Sequence, residues 1–145
     1  MQVMGGRTRG GMRTRTKEQI VRETFERWSR GDRELRREDI DPAAEVVSQL
    51  ANRRFRGYAG IRRWMTDVLD SFDEWSMEIE EAREVDEERL LVIGTARLRG
   101  RGSGVDMNVP CAWLFDFREG RMARMEIFLN RVDEALQATG LRPPR

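Results

Sequence analysis

VDMNVPCAWLFDF (105–117) and RMARMEIFLN (121–130), joined by Arg118-Glu119-Gly120, decide the fold of this chain. Two runs of strand-forming residues around a three-residue turn ending in glycine read as a β-hairpin. In the first run Trp113, Phe115 and Phe117 alternate with Ala112 and Leu114, so the strand is apolar on both faces at its centre. A strand of that kind needs helices over one face and more protein over the other. The second cover is expected to be another copy of the chain, a homodimer through the outer sheet face.

Reading outward, Trp75–Val85 and Arg89–Gly100 form two further strands, turned by Asp86-Glu87-Glu88 and followed by a Gly-rich loop, Arg101–Gly104. Upstream, Thr16–Arg30 reads as a helix. Thr16 caps it, Gln19 stands three residues on, and Ile20, Val21, Thr24, Phe25 and Trp28 make the inner stripe. Glu18–Arg22, Glu23–Arg27 and Glu26–Arg30 are spaced to pair along the wet side. Gly31 ends that helix, and Asp32 opens a short second one to about Asp39, which Asp41-Pro42 breaks. Ala44–Gln49 reads as a short strand. Ile61, Trp64, Met65, Val68, Leu69 and Phe72 then recur at three- and four-residue spacing, which predicts a helix over Ala59–Phe72. A last helix, Val132–Thr139, stops at Gly140 before Pro143-Pro144. Helices first and a meander of strands after them predict an α+β domain, its helices packed on one face of a curved antiparallel sheet around an apolar cavity.

The chain of 145 residues is expected to hold one such domain, over residues 16–141. Residues 1–15, rich in Gly and Arg, read as a disordered tail, and 142–145 as a short closing tail. Up to Lys17 there are five bases and no acid. With those five set aside, 22 bases face 26 acids, and the whole chain carries +1. That balance argues against nucleic acid as a partner, a basic N-terminal arm being the lesser reading. The chain has no histidine, which excludes His-based triads, His-ligated zinc and imidazole bases. The lone Cys111 excludes an internal disulfide and fits a cytoplasmic location. Without an activating base it reads as a small buried hydrophobe. No apolar run is long enough for a membrane span, so no membrane association is expected. The carboxylates at Glu78, Glu80, Glu81, Glu84 and Asp86–Glu88 read as a wet strand face and turn. No metal and no cofactor are expected.

WSRGD (28–32), FRGYAGIRRWM (55–65), RGRGSGVDM (99–107) and WLFDFREGRMARMEIFLNR (113–131) stand in an order that resembles the SnoaL-like branch of the nuclear transport factor 2-like superfamily. The likeness covers Thr16 to Leu141. It implies a cone-shaped α+β barrel enclosing a pocket, commonly in a homodimer, in a family that includes steroid isomerases, polyketide cyclases, epoxide hydrolases, dehydratases and non-enzymatic binding domains. Counting from shared glycines, the isomerases' tyrosine falls at Thr24, their aspartate base at Ser48 and their oxyanion-hole aspartic acid at Ala112. All three are replaced, which argues against that isomerisation.

The same counting turns Ala112 inward, and with it Asp106, Asn108, Pro110 and Leu114. Met125, Ile127 and Leu129 are expected to point inward from the last strand. With Thr24, Trp28, Ser48 and Trp64 these make the expected ligand pocket; Asp106 and Ser48 are the weak catalytic candidates. Limonene-type epoxide hydrolysis needs an arginine between two carboxylates. A hairpin closed by Arg101–Gly104 would set Arg99 opposite Asp106, one acid where two are required. Two functions therefore stand: a cyclase-, isomerase- or hydratase-type enzyme acting on a small apolar carbonyl compound, or a non-catalytic module that binds an apolar ligand or a protein. An acid inside the cavity would favour the first, a wholly apolar lining the second.

Overall fold

The computed structural model describes residues 15–48 and 53–143. The tail expected over 1–15 lies, Arg15 apart, outside the described residues, as do Gln49 and the last two residues. Helix α1 spans Lys17–Ser29. The Thr16 hydroxyl accepts from the Gln19 backbone N–H at 3.1 Å while the Gln19 side chain accepts from that of Thr16 at 2.8 Å. This reciprocal pair satisfies two otherwise orphaned donors. On the wet face Glu18–Arg22 and Glu26–Arg30 pair as expected. Glu23 instead meets Arg15, and Arg27 turns inward to donate to the Glu34 carbonyl at 3.0 Å.

The short helix expected over 32–39 is absent: 32–36 is irregular and 37–39 a turn. Asp32 accepts from the Glu34 backbone N–H at 3.1 Å, a local bond that competes with helix formation. Strand β1 runs Ile40–Ser48 and so contains Pro42, which was expected to act as a breaker. A register shift between Ile40 and Glu45 accommodates the missing donor. Strand β2, Arg53–Arg56, goes unread in the sequence because four residues with one buried side chain, Phe55, carry no periodicity. Helix α2, Gly57–Asp67, is shorter than expected. The chain tightens into a 3-10 turn at Leu69–Ser71, and Phe72 already belongs to the next strand.

Four long strands follow: β3 (Phe72–Asp86), β4 (Arg89–Gly100), β5 (Asp106–Arg118) and β6 (Arg121–Leu129). Helix α3, Val132–Thr139, ends at Gly140 with φ +73°. The sheet order is β2-β1-β6-β5-β4-β3. The pair β1–β6 is parallel, so the sheet is mixed where an antiparallel one was expected. The sheet is curved and unclosed, and the whole is an α+β cone.

Each face of β5 has its own cover. Cys111, Trp113, Phe115 and Phe117 enter the core shared with α1 and α2, whereas Ala112 and Leu114 join Leu91, Ile93 and Phe128 under Ala135 and Leu136 of α3. The apolar outer patch that suggested a second copy is thus covered within the chain. The inward direction expected for Ala112, and for Leu114, Pro110, Asn108 and Asp106 with it, is corrected: these point to the outer face. Side-chain volume decides it. The bulky odd-numbered residues fill the concave interior, and a small alanine lets α3 approach. Parity on β6 holds as expected, with Met125, Ile127 and Leu129 on the concave side.

Candidate functional site

The concave interior is packed with aromatic rings. Phe25 and Trp28 come from α1, Trp64 from α2, Trp75 from β3, and Trp113 and Phe115 from β5. Trp113 is the hub: its ring centroid lies 4.8 Å from Phe25, 5.8 Å from Trp64, 6.3 Å from Trp75 and 5.7 Å from Phe115. These spacings, mostly tilted or edge-on, are the favourable ones for aromatic pairs. The rings occupy most of the space in which a pocket is expected. What they leave is a recess of about 40 Å³ between α2 and the sheet. Pockets for drug-sized ligands are roughly ten times larger.

Its lining is Ser48, Trp64, Val68, Leu69, Phe72, Trp75, Ala96, Leu98, Cys111, Trp113, Ile127 and Leu129. Of the residues expected from the sequence, Ser48, Trp64, Ile127 and Leu129 meet there. Thr24 is buried on the inner side of α1, its hydroxyl donating to the Ile20 carbonyl one turn back at 2.8 Å. Trp28 and Met125 sit in the core behind the recess. Ala112 and Leu114 lie beneath α3, and Asn108 and Pro110 are exposed. Sequence reasoning did not place Val68, Leu69, Phe72, Trp75, Ala96, Leu98, Cys111 or Trp113 in the lining. For Trp75 and Leu98 the signal was present as two-residue alternation, Trp75/Met77 and Ala96/Leu98, on strands whose inner face was not assigned, whereas Cys111 and Trp113 lie on the strand whose inner face was assigned the wrong way.

Among the described lining residues there is no carboxylate, arginine or lysine; Ser48, Cys111 and the indoles are the polar groups. Burial pushes the Cys111 thiol up to about 12, so it stays protonated at neutral pH. In an unfolded chain a thiol ionises near its ordinary value of about 8.5. Between those limits the unfolded state binds fewer protons, and stability falls by up to about 1.4 kcal/mol per pH unit. Denaturation of wild type and Cys111→Ala from pH 8 to 11 is expected to show that added slope in the wild type alone. Equal slopes would place Cys111 nearer solvent.

The other weak catalytic candidate, Asp106, is exposed on the outer face. There Arg99 donates to it at 2.8 Å and lies 3.3 Å from Glu74. The hairpin does set Arg99 opposite Asp106, and Glu74 supplies a second carboxylate. The trio stands in water, however, with Asp106 68% and Glu74 66% exposed, so it encloses no reacting water. An open cleft of about 400 Å³ elsewhere is walled by Glu45, Asp86, Arg89, Asp116, Arg118 and Arg124. Burial raises the Asp116 carboxyl against the pull of Arg124 and Arg89. Among the described residues no acidic, Cys or His cluster could hold a metal ion, and no helix is long and apolar enough to cross a membrane.

The SnoaL-like domain profile matches residues 21–125, from α1 to the middle of β6. The chain belongs to the SnoaL-like family. Solved structures agree in fold. A protein from Sinorhizobium meliloti, provisionally named a polyketide cyclase, is 28% identical with a TM-score of 0.59, over 76% of this chain and 94% of that one. One from Shewanella putrefaciens, provisionally named a SnoaL-like polyketide cyclase, is 14% identical with a TM-score of 0.67, over 83% and 96%. A protein of ketosteroid isomerase-like fold from Catenulispora acidiphila, in complex with trimethylamine, is 14% identical with a TM-score of 0.66, over 88% and 96%. No curated protein matches in sequence. The SnoaL-like chain therefore has a cyclase- and isomerase-type fold around a recess walled mainly by carbon.

Proposed function

We propose that this SnoaL-like protein binds a small hydrophobic molecule in the recess and performs no carboxylate-driven proton transfer there. One observation carries the reading: the lining is apolar apart from Ser48, Cys111 and indole groups, and its thiol is held neutral. Isomerisation of the steroid type needs a charged base and an acid donor, and the positions counted for them hold Ser48 and Ala112. The recess is smaller than a ligand ring system. Val68, Phe72, Ile127 and Leu129 are only partly buried and form the side that can yield.

Titration with indane, followed by isotope-edited spectra, tests this. Saturable shifts are expected at Ser48, Trp64, Leu98 and Leu129 and not under α3. No shift anywhere, or shifts on the outer face, would overturn it. A cyclase- or hydratase-type enzyme is the second reading, favoured by the provisional names of the structural relatives. It would require an acid–base group reaching the recess beyond those that line it. A homodimer through the outer sheet face is a further proposal. Its contacts would be the exposed ion pairs Arg97–Glu78 and Arg99–Asp106. Sedimentation in low and high salt tests it: a salt-sensitive dimer is expected, and a monomer under both conditions rejects it.

A further inference from the structure

We infer that the Trp64 indole N–H is the orienting donor of the recess, so that the preferred ligand is an apolar molecule bearing one hydrogen-bond acceptor, a ketone or ether oxygen, rather than a hydrocarbon. The inference rests on the proposed binding function and deepens it. Ile61, Trp64 and Met65 share one face of α2, and that spacing delivers Trp64 to the recess wall with 1% of its surface exposed. Its Nε1 is buried and has no acceptor among the described residues. A buried donor left unmade costs about 1–3 kcal/mol, and most such groups in folded proteins are paired.

The neighbouring rings do not supply the missing partner as an oxygen or nitrogen: Trp28, Trp75, Trp113 and Phe72 offer carbon or further N–H groups. A second indole, that of Trp28, is likewise buried without an acceptor, 5.8 Å away between ring centroids. Two indole N–H groups at this end of the interior are thus buried without an acceptor among the described residues. An ordered water needs two to four polar partners, and besides the indoles only Ser48 and Cys111 interrupt walls otherwise made of carbon. A ligand carbonyl needs one donor, and its carbon skeleton suits those walls. A charged carboxylate is disfavoured, because no cation stands among the described lining residues to offset its desolvation.

Indanone and indane, matched in shape and differing by one oxygen, separate the possibilities. With indanone the Trp64 indole proton is expected to move downfield, and binding is expected to be roughly tenfold tighter than for indane. In Trp64→Phe the preference is expected to vanish while indane still binds. The Trp64 signal is read in the wild type, so the result does not depend on the variant folding. If both probes bind equally and the Trp64 proton stays in place, the donor assignment is wrong and the recess stands as a purely apolar site. If neither binds, the binding function falls with it.

Discussion

Trp113→Ala is expected to cost about 3–5 kcal/mol of folding stability, the range for removing a large buried aromatic ring. A domain of this size has a total of roughly 5–15 kcal/mol to lose. The cost is expected at the upper end because Trp113 touches several partners at once. Its ring meets Phe25 at 68°, Trp64 at 81° and Trp75 at 70°, and stacks on Phe115 at 14°. No single neighbour can rotate to fill the void without leaving its own contact. Truncation also opens the recess, since Trp113 is one of its walls. Chemical denaturation and near-ultraviolet circular dichroism read the effect, the latter losing the coupled signal of packed indoles. A loss below about 1 kcal/mol would mean that the rings do not form one packed unit.

Gly94→Ala is expected to cost as much through the backbone. A Cβ built at Gly94 lies 1.9 Å from the Glu78 carbonyl oxygen and 2.9 Å from its carbon. Both belong to the main chain of β3, so no side chain can swing aside. Gly94 pairs with Ile79 immediately beside a register shift between Ile79 and Glu81, and there the two strands approach too closely for a methyl group. Relief requires β3 and β4 to separate at the centre of their ladder. Overpacking typically costs 1–3 kcal/mol, and a rigid main-chain obstacle places this case at about 3 kcal/mol or more. Hydrogen exchange is expected to accelerate first at the amides around Ile79–Ala82 and Val92–Ala96. Unchanged protection there would contradict the close approach.

Much of this architecture is legible in the residues. Thr16 with Gln19, the limits of β4, the Val132–Thr139 helix and its Gly140 stop all follow from local chemistry. What local chemistry does not report is tertiary choice. Asp41-Pro42 reads as the break after a short helix, because proline disfavours helical backbone before it, yet Pro42 sits inside β1, where a register shift absorbs its missing ladder bond. Phe55 stands alone in RRFR, so β2 exists only because β1 offers it an edge. The face of β5 is the consequential misreading. Counting from the hairpin glycine turned Ala112 inward, whereas the bulk of Cys111, Trp113, Phe115 and Phe117 decides otherwise. Four further expected positions on that strand, Asp106, Asn108, Pro110 and Leu114, followed Ala112 to the wrong side. A third of the recess lining was legible: Trp64 belongs to the apolar stripe of its helix, and Ser48, Ile127 and Leu129 follow from the family resemblance. Its contraction to about 40 Å³ depends on how six rings nest, which no pairwise pattern in the sequence encodes.

Diffraction from crystals under xenon pressure tests most directly whether an apolar, accessible hollow exists beneath α2. Small cavities walled by carbon take up xenon where polar ones hold water. One xenon atom is expected among Trp64, Leu98, Trp113 and Leu129. Ordered water in that place, or an interior closed to the gas, would contradict the binding site on which the function proposed for this protein depends.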